Sequence, residues 1–426
     1  MFLKTTVVGT SALMVLSVAV MKTDSCDSLG DQEVTYSCVP VGTGYADGFF
    51  SLEAFRGKLY AGQFGYGHES QSMLYSYPPW ELVQPGLTGV GESVCALLEF
   101  DGYLYANTEN SGDIFRSPDG RNWERVYDGP AGSIGCGLAE FNGSLYAINY
   151  GYATSDHGRV LRLDAGGWTT VYDSGNESLY VREIVAYRNR LYAFGVLGDQ
   201  GKMLSSPNGS DWTLENVPER FFRAHVWDGY LWLGSTEKYT GGTAGVWRFD
   251  GTNFDLLYVT DREYVTDIRD MDGHLFAGTS NGWKEDTGPS YLLMSPDGVS
   301  DWQRVCQFGE TAIWALGVLD GELYVGTWQY GVGGSVYQVV ASTQPPPTPR
   351  GDCEAIAEHP DWELCESGPG YCAGVFLDGA GCQAFCAAAG LNCAESYGGQ
   401  EGCIKEPENP LYCGETGHNS DWCECR

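Results

Sequence analysis

Glu99-Phe-Asp-Gly-Tyr-Leu-Tyr-Ala106 is the stretch from which the chain can be read. The Asp-Gly at its centre is what a two-residue hairpin needs, because both turn positions take positive φ, and apolar and aromatic residues flank it on both sides. Working outward, the same pattern returns as Ala54-Phe-Arg-Gly-Lys-Leu-Tyr-Ala61, Glu140-Phe-Asn-Gly-Ser-Leu-Tyr-Ala147, Ala186-Tyr-Arg-Asn-Arg-Leu-Tyr-Ala193, Val226-Trp-Asp-Gly-Tyr-Leu-Trp-Leu233, Asp270-Met-Asp-Gly-His-Leu-Phe-Ala277 and Val318-Leu-Asp-Gly-Glu-Leu-Tyr-Val325. That makes seven copies, with a period of roughly forty-four residues, the length of one four-stranded propeller blade.

A third apolar strand follows each hairpin, as at 113–117 and 291–295, and usually a tryptophan-led fourth strand after it. The expected fold is therefore all-β: a seven-bladed β-propeller over residues 33–341 with a small disulfide-rich domain behind it. The seventh copy ends near Ala341 without a fourth strand, whereas Glu33-Val-Thr-Tyr-Ser-Cys-Val39 stands alone before the first copy. The N-terminal strand is expected to close the last blade, removing exposed sheet edges. Cys38 and Cys306 then sit on neighbouring outer strands and are expected to pair. Cys95 and Cys136 occupy equivalent positions in their copies and are either a second disulfide or buried thiols.

Three turns, Ser117-Pro-Asp-Gly-Arg-Asn-Trp123, Ser206-Pro-Asn-Gly-Ser-Asp-Trp212 and Ser295-Pro-Asp-Gly-Val-Ser-Asp-Trp302, resemble the Asp-box turn of sialidases and other secreted glycan-acting propellers, two of them being one residue short of its usual spacing. The resemblance bears on fold; such turns lie on the rim, far from the central funnel.

Residues 1–25 read as a secretory signal, a lysine followed by an apolar run from Val7 to Val20. The run is short for a spanning helix and nothing comparable follows, so no membrane insertion is expected. Cys26 raises lipoprotein anchoring, but Thr23, Asp24 and Ser25 fit that signal poorly, and export to the extracellular side is the favoured reading. Fifteen cysteines suit an oxidising compartment, and a net charge of −32 repels nucleic acid and anionic membrane alike. A monomer is the expectation.

Residues 342–352 are a stiff proline-rich linker, and 353–426 carry ten cysteines in a segment too short to bury an adequate core without staples. Five disulfides are expected there. A metal site on His418, Cys423 and Cys425 lacks paired Cys-x-x-Cys knuckles. The ending Gly417-His-Asn-Ser-Asp-Trp-Cys-Glu-Cys425, with Cys386-Ala-Ala-Ala-Gly-Leu-Asn-Cys393, resembles a cysteine-rich module appended to secreted bacterial carbohydrate-active enzymes. No cofactor is called for; calcium is the one metal considered, at acidic loops such as 284–288, which lack a dense oxygen-ligand pattern.

Counting back from each turn glycine locates the chemistry. The fifth position back holds Leu52, Leu97, Leu138, Ile184, Ala224, Ile268 and Leu316, which are expected to pack between blades. The columns on either side then face the channel and contain Glu53, Glu183, Arg223, His225, Asp267 and Arg269, with Arg182 one step nearer the mouth. Charge falls on one side of the channel. Arginines with a histidine suit carboxylate recognition and proton transfer; alternatively Arg223 and Arg269 merely neutralise Glu183 and Asp267. Loops joining second to third strands carry Tyr66, His68, Tyr152, Tyr239, Trp283 and Trp328, either as sugar-stacking platforms or as loop anchors.

Three functions fit these residues. In a polysaccharide lyase acting on uronates, Arg182, Arg223 and Arg269 bind the substrate, and His225, Tyr264 or Tyr180 removes the proton. The architecture is similar to propeller lyases of the ulvan-degrading kind, whose histidine, tyrosine and arginine roles this resemblance implies for those residues. A lectin or adhesion propeller uses the same aromatics without turnover. A sialidase-like hydrolase fits the Asp-box turns, but the Phe-Arg-Ile-Pro motif is absent.

Overall fold

The structure is a computed structural model that describes residues 35–65, 73–87, 93–151, 157–236, 244–282, 289–342, 353–368, 371–389, 391, 393–411, 413 and 418–425. Nearly all of it is antiparallel β-sheet. Each predicted hairpin is present, and its turn residues take the positive φ that the sequence called for, as at Asp101 (48°) and Gly102 (75°). In the fourth copy Arg188 and Asn189 adopt 45° and 58° without a glycine.

The hairpins open seven four-stranded units, whose first strands are Gly48–Phe55, Val94–Phe100, Ser133–Phe141, Gly167–Tyr187, Phe221–Trp227, Tyr264–Met271 and Ala312–Leu319. Gly167–Tyr187 is long because it serves twice, as the fourth strand of unit 3 and the first of unit 4. The fourth strand of unit 7 is Thr35–Thr43, paired antiparallel with Ser335–Ser342. The predicted Cys38–Cys306 disulfide ties that strand to the outer strand of unit 6.

The column five residues before each turn glycine packs as expected. Leu52, Leu97, Leu138, Ile184, Ala224, Ile268 and Leu316 fall into seven separate apolar clusters, each shared by two consecutive units, and unit 7 shares one with unit 1. Each large side chain fully buried there contributes about 1.5–3 kcal/mol. The Asp-box turns add rim contacts. Asp119 accepts backbone N–H bonds from Arg121 and Asn122 at 2.9 and 2.7 Å, and Asn208 and Asp297 repeat the arrangement. The glycine of each such turn lies against the second-strand aromatic of the preceding unit, so a Cβ on Gly120 would stand 2.1 Å from the Tyr60 hydroxyl.

One regular feature was not predicted: every first strand breaks register once, between Phe49/Ser51, Val94/Ala96, Ile134/Gly137, Val181/Glu183, Phe221/Arg223, Val265/Asp267 and Ile313/Ala315. A bulge turns an extra residue to the face its neighbour already occupies. The extra residues are Phe50, Cys95, Cys136, Arg182, Phe222, Thr266 and Trp314, with Gly135 beside Cys136. They meet in a layer: Phe50 stacks on Trp314 at 4.8 Å, Phe222 lies 5.4 Å from Trp314, and Arg182 lies 4.6 Å from the centroid of the Phe222 ring. Cys95 and Cys136, the open case in the sequence, are joined as a disulfide in this layer.

The C-terminal module is a five-stranded sheet with two short helices. Its ten cysteines form the five expected disulfides, 353–372, 365–403, 382–423, 386–425 and 393–413. Cys423 and Cys425 are thereby withdrawn from any metal site with His418, which bonds Asp421 instead. Among the described residues no helix is long and apolar enough to cross a membrane.

Candidate functional site

The bulge layer divides the predicted site residues into two groups. On its hairpin side lies a cavity of about 370 Å³, to which all seven first strands contribute, with Phe50, Cys95 and Cys136 at the layer. Two rings of positions line it. The ring next to the layer holds Glu183, Arg223 and Asp267; the ring toward the hairpins holds Glu53, His225 and Arg269. Units 2 and 3 present mainly apolar residues, such as Leu97, Leu98, Leu138 and Ala139, so the cavity has one charged side as the sequence suggested.

Within the inner ring Arg223 reaches Glu183 at 3.3 Å, both side chains being only 12% and 13% exposed. Burial pushes the Glu183 carboxyl up to about 7, because the loss of water outweighs the attraction of Arg223 and nearby Asp267 adds repulsion. Asp267 is committed to the backbone, its two oxygens accepting from Ile268 N–H at 2.9 Å and Leu316 N–H at 2.7 Å. The neutralising role considered for Arg223 is therefore met.

The outer ring differs. His225 Nε2 lies 2.7 Å from Asp270 Oδ1, and its Nδ1 lies 3.3 Å from Arg269 Nη1. A guanidinium only donates, so Nδ1 accepts and Nε2 carries the proton given to Asp270. Burial lowers the His225 pKa, with Arg269 adding to that and Asp270 opposing it, so the ring is a neutral base near pH 7. Arg269 has no ion pair among the described residues; it faces the histidine and the Ile268 carbonyl. Glu53 accepts the Glu99 N–H at 3.3 Å, and burial pushes its carboxyl up to about 7 against the pull of Arg269.

Across the layer, Arg182 stacks on Phe222 and has Tyr150, Tyr180, Tyr264 and Glu109 as electrostatic neighbours. Tyr264 is fully buried, 5.5 Å from Phe222, and the Tyr180 ring lies 4.2 Å from that of Tyr150. Neither tyrosine lines the cavity with His225. Burial raises the Glu109 carboxyl, Arg182 opposing.

Placement corrects the sequence reading in two ways. Arg182, Tyr180 and Tyr264 do not share the cavity of His225, Arg223 and Arg269. Trp328 is 1% exposed and packs with Phe64, so it is a core residue and no stacking platform. Tyr66, His68, Tyr152, Tyr239, Trp283 and the 284–288 loop lie outside the described residues. The sequence reading passed over Asp270, although it stands two residues before the Asp272-Gly273 turn and orients the histidine.

No protein-family model and no curated protein matches the chain at the level of sequence. Among solved structures, a chain of the mitotic checkpoint complex is similar with a TM-score of 0.52 at 9% identity, over 77% of this chain and 99% of that one. The computationally designed Ika8 protein aligns at 0.45 with 11% identity, over 71% of this chain and 99% of that one. A putative oxidoreductase (glucose dehydrogenase) from Thermus thermophilus aligns at 0.42 with 14% identity, over 72% of this chain and 100% of that one. At these identities the likeness concerns fold alone.

Proposed function

We propose that the seven units are the blades of a β-propeller and that the chain is an extracellular carbohydrate-active protein which cleaves a uronate-containing polysaccharide by β-elimination in the hairpin-side cavity. The propeller reading is supported by the shared cores between consecutive units, including units 7 and 1, and by the contribution of every first strand to one cavity. Seven disulfides fit an oxidising compartment.

The observation that carries the chemistry is the Asp270–His225–Arg269 arrangement, 2.7 and 3.3 Å between partners. A uronate carboxylate entering the cavity takes the Arg269 guanidinium, forming the bidentate pair that arginine makes best. That transfer neutralises the carboxylate, which acidifies the hydrogen on the adjacent ring carbon, and it uncovers Nδ1 to accept that proton. Asp270 fixes the tautomer and stabilises the imidazolium that forms.

The test is ultraviolet absorbance of unsaturated uronate product when the full chain is incubated with a panel of uronate polysaccharides, beside Arg269→Ala. The reading predicts a rise that the variant loses. A second reading, glycan binding without turnover, is favoured by the sealed Arg223–Glu183 pair and by the absence of a tyrosine among the described residues of the cavity lining; retention on one polysaccharide without any rise in absorbance would select it.

A further inference from the structure

We propose that Glu53 is the acid that protonates the departing sugar oxygen, a role that rests on the β-elimination reading. Elimination needs two proton transfers, and His225 serves only the first: it removes a proton from carbon. The C–O bond of a sugar breaks readily only when the leaving oxygen receives a proton, because an alkoxide is a poor leaving group.

Four carboxyl groups line the cavity; Glu140 belongs to unit 3, on the mainly apolar side away from Arg269, and bonding separates the other three. Asp267 has both oxygens engaged by backbone N–H groups at 2.9 and 2.7 Å. Glu183 is paired with Arg223 at 3.3 Å and sits in the ring next to the closed layer. Glu53 is in the outer ring with His225 and Arg269, at the same position of its strand, four residues before the turn glycine. It makes no ion pair among the described residues, and one oxygen is anchored by the Glu99 N–H.

Unit 7, between Arg269 of unit 6 and Glu53 of unit 1, places Gly317 at this position. A Cβ there would stand 2.6 Å from the Cβ of Leu52. Unit 7 therefore contributes no side chain of its own at this position between the arginine and the glutamate. A sugar whose carboxylate rests on Arg269 extends past Gly317 toward Glu53, with His225 on the other flank of the arginine.

The step balances without a further reactant. The C–H electron pair becomes a carbon–carbon double bond as His225 Nδ1 takes the proton; the adjacent C–O bond breaks, and its oxygen leaves as a hydroxyl with the proton of Glu53. The enzyme ends with imidazolium and carboxylate, which return to the starting state by passing one proton through solvent. Burial raises the Glu53 carboxyl to about 7, so it holds a proton in the range where His225 is already neutral.

Glu53→Gln keeps the shape and removes the acid. On polysaccharide its kcat is expected to fall roughly 10²–10⁴-fold with KM little changed, and the alkaline limb of the pH–rate profile, centred near 7 in the parent, disappears. A synthetic uronate carrying fluoride or a nitrophenolate as leaving group needs no acid, and on it the variant keeps the parent's rate. Glu183→Gln, measured alongside, retains the alkaline limb. An undiminished rate of Glu53→Gln on polysaccharide overturns the assignment while leaving elimination standing, and so does an equal loss on both substrates. If the parent yields no unsaturated product from either, the elimination reading itself fails, and this role with it.

Discussion

The two sides of the bulge layer carry the same kind of residue in different company. Arg269 on the hairpin side faces a neutral histidine and carboxyls raised toward neutrality; Arg182 on the other side faces Phe222 and a group of tyrosines. Neither makes an ion pair with a carboxylate among the described residues. Burying a guanidinium costs several kcal/mol unless something offsets it; Arg269 has a histidine and carboxyls beside it, whereas Arg182 has the Phe222 ring face together with Glu109 and tyrosines. The difference lies in the base: a neutral histidine is hydrogen-bonded to Arg269, and an aromatic ring covers Arg182.

The largest effect is expected for His225→Ala, which removes the proposed base on the cavity side. Formation of unsaturated product should fall roughly 10²–10⁴-fold, read by initial rates; a smaller loss would place the base elsewhere. Next is the layer that separates the two sides. Trp314 is fully buried between Phe50 and Phe222, so Trp314→Ala should destabilise the ring body by about 3–5 kcal/mol, measured by denaturant unfolding.

A third prediction concerns pH. Glu53 binds its proton up to about 7 in the folded chain but only up to about 4.5 when unfolded. Between those values the native state holds a proton that the unfolded state has released, so stability falls as pH rises through this window and levels above it. Glu183 is raised into the same window, so Glu53→Gln should reduce the slope and leave the Glu183 contribution, followed by thermal melting across the window. The smallest effect sharpens the contrast: Arg182→Ala should leave the cavity's elimination rate within roughly twofold, because the Phe222–Trp314 layer stands between them. A loss comparable with that of Arg269→Ala would mean that the layer does not separate two sites.

Much of the architecture was legible in the chain. Asp-Gly and Asn-Gly turns marked most of the hairpins, the orphan strand around Cys38 found its place beside Ser335–Ser342, and the cysteines of the tail paired among themselves. Counting back from the turns also placed Glu53, Glu183, Arg223, His225, Asp267 and Arg269 correctly at the cavity. That count relies on side chains alternating with period two, which holds from the turn only as far as the bulge.

Beyond the bulge alternation fails. Arg182 and Glu183 are adjacent in sequence, yet one stacks in the aromatic layer and the other pairs with Arg223 in the cavity. Tyr180 and Tyr264, further back on their strands, lie past that break. Nothing in either residue's type signals an extra residue in the strand; only the sevenfold recurrence of the register break makes it visible. Trp328 was misread for a different reason. It ends a second strand whose neighbours are buried, and an aromatic there completes a core.

In the proposed site the substrate carboxylate meets Arg269 on the hairpin side of the layer. The most direct measurement is a crystal structure of the His225→Ala variant soaked with a uronate oligosaccharide. A sugar carboxylate is expected within hydrogen-bond distance of the Arg269 guanidinium, with a glycosidic oxygen facing Glu53. An oligosaccharide bound instead at Arg182 and the tyrosines, or an Arg269 left untouched in a ligand-bound cavity, would contradict it.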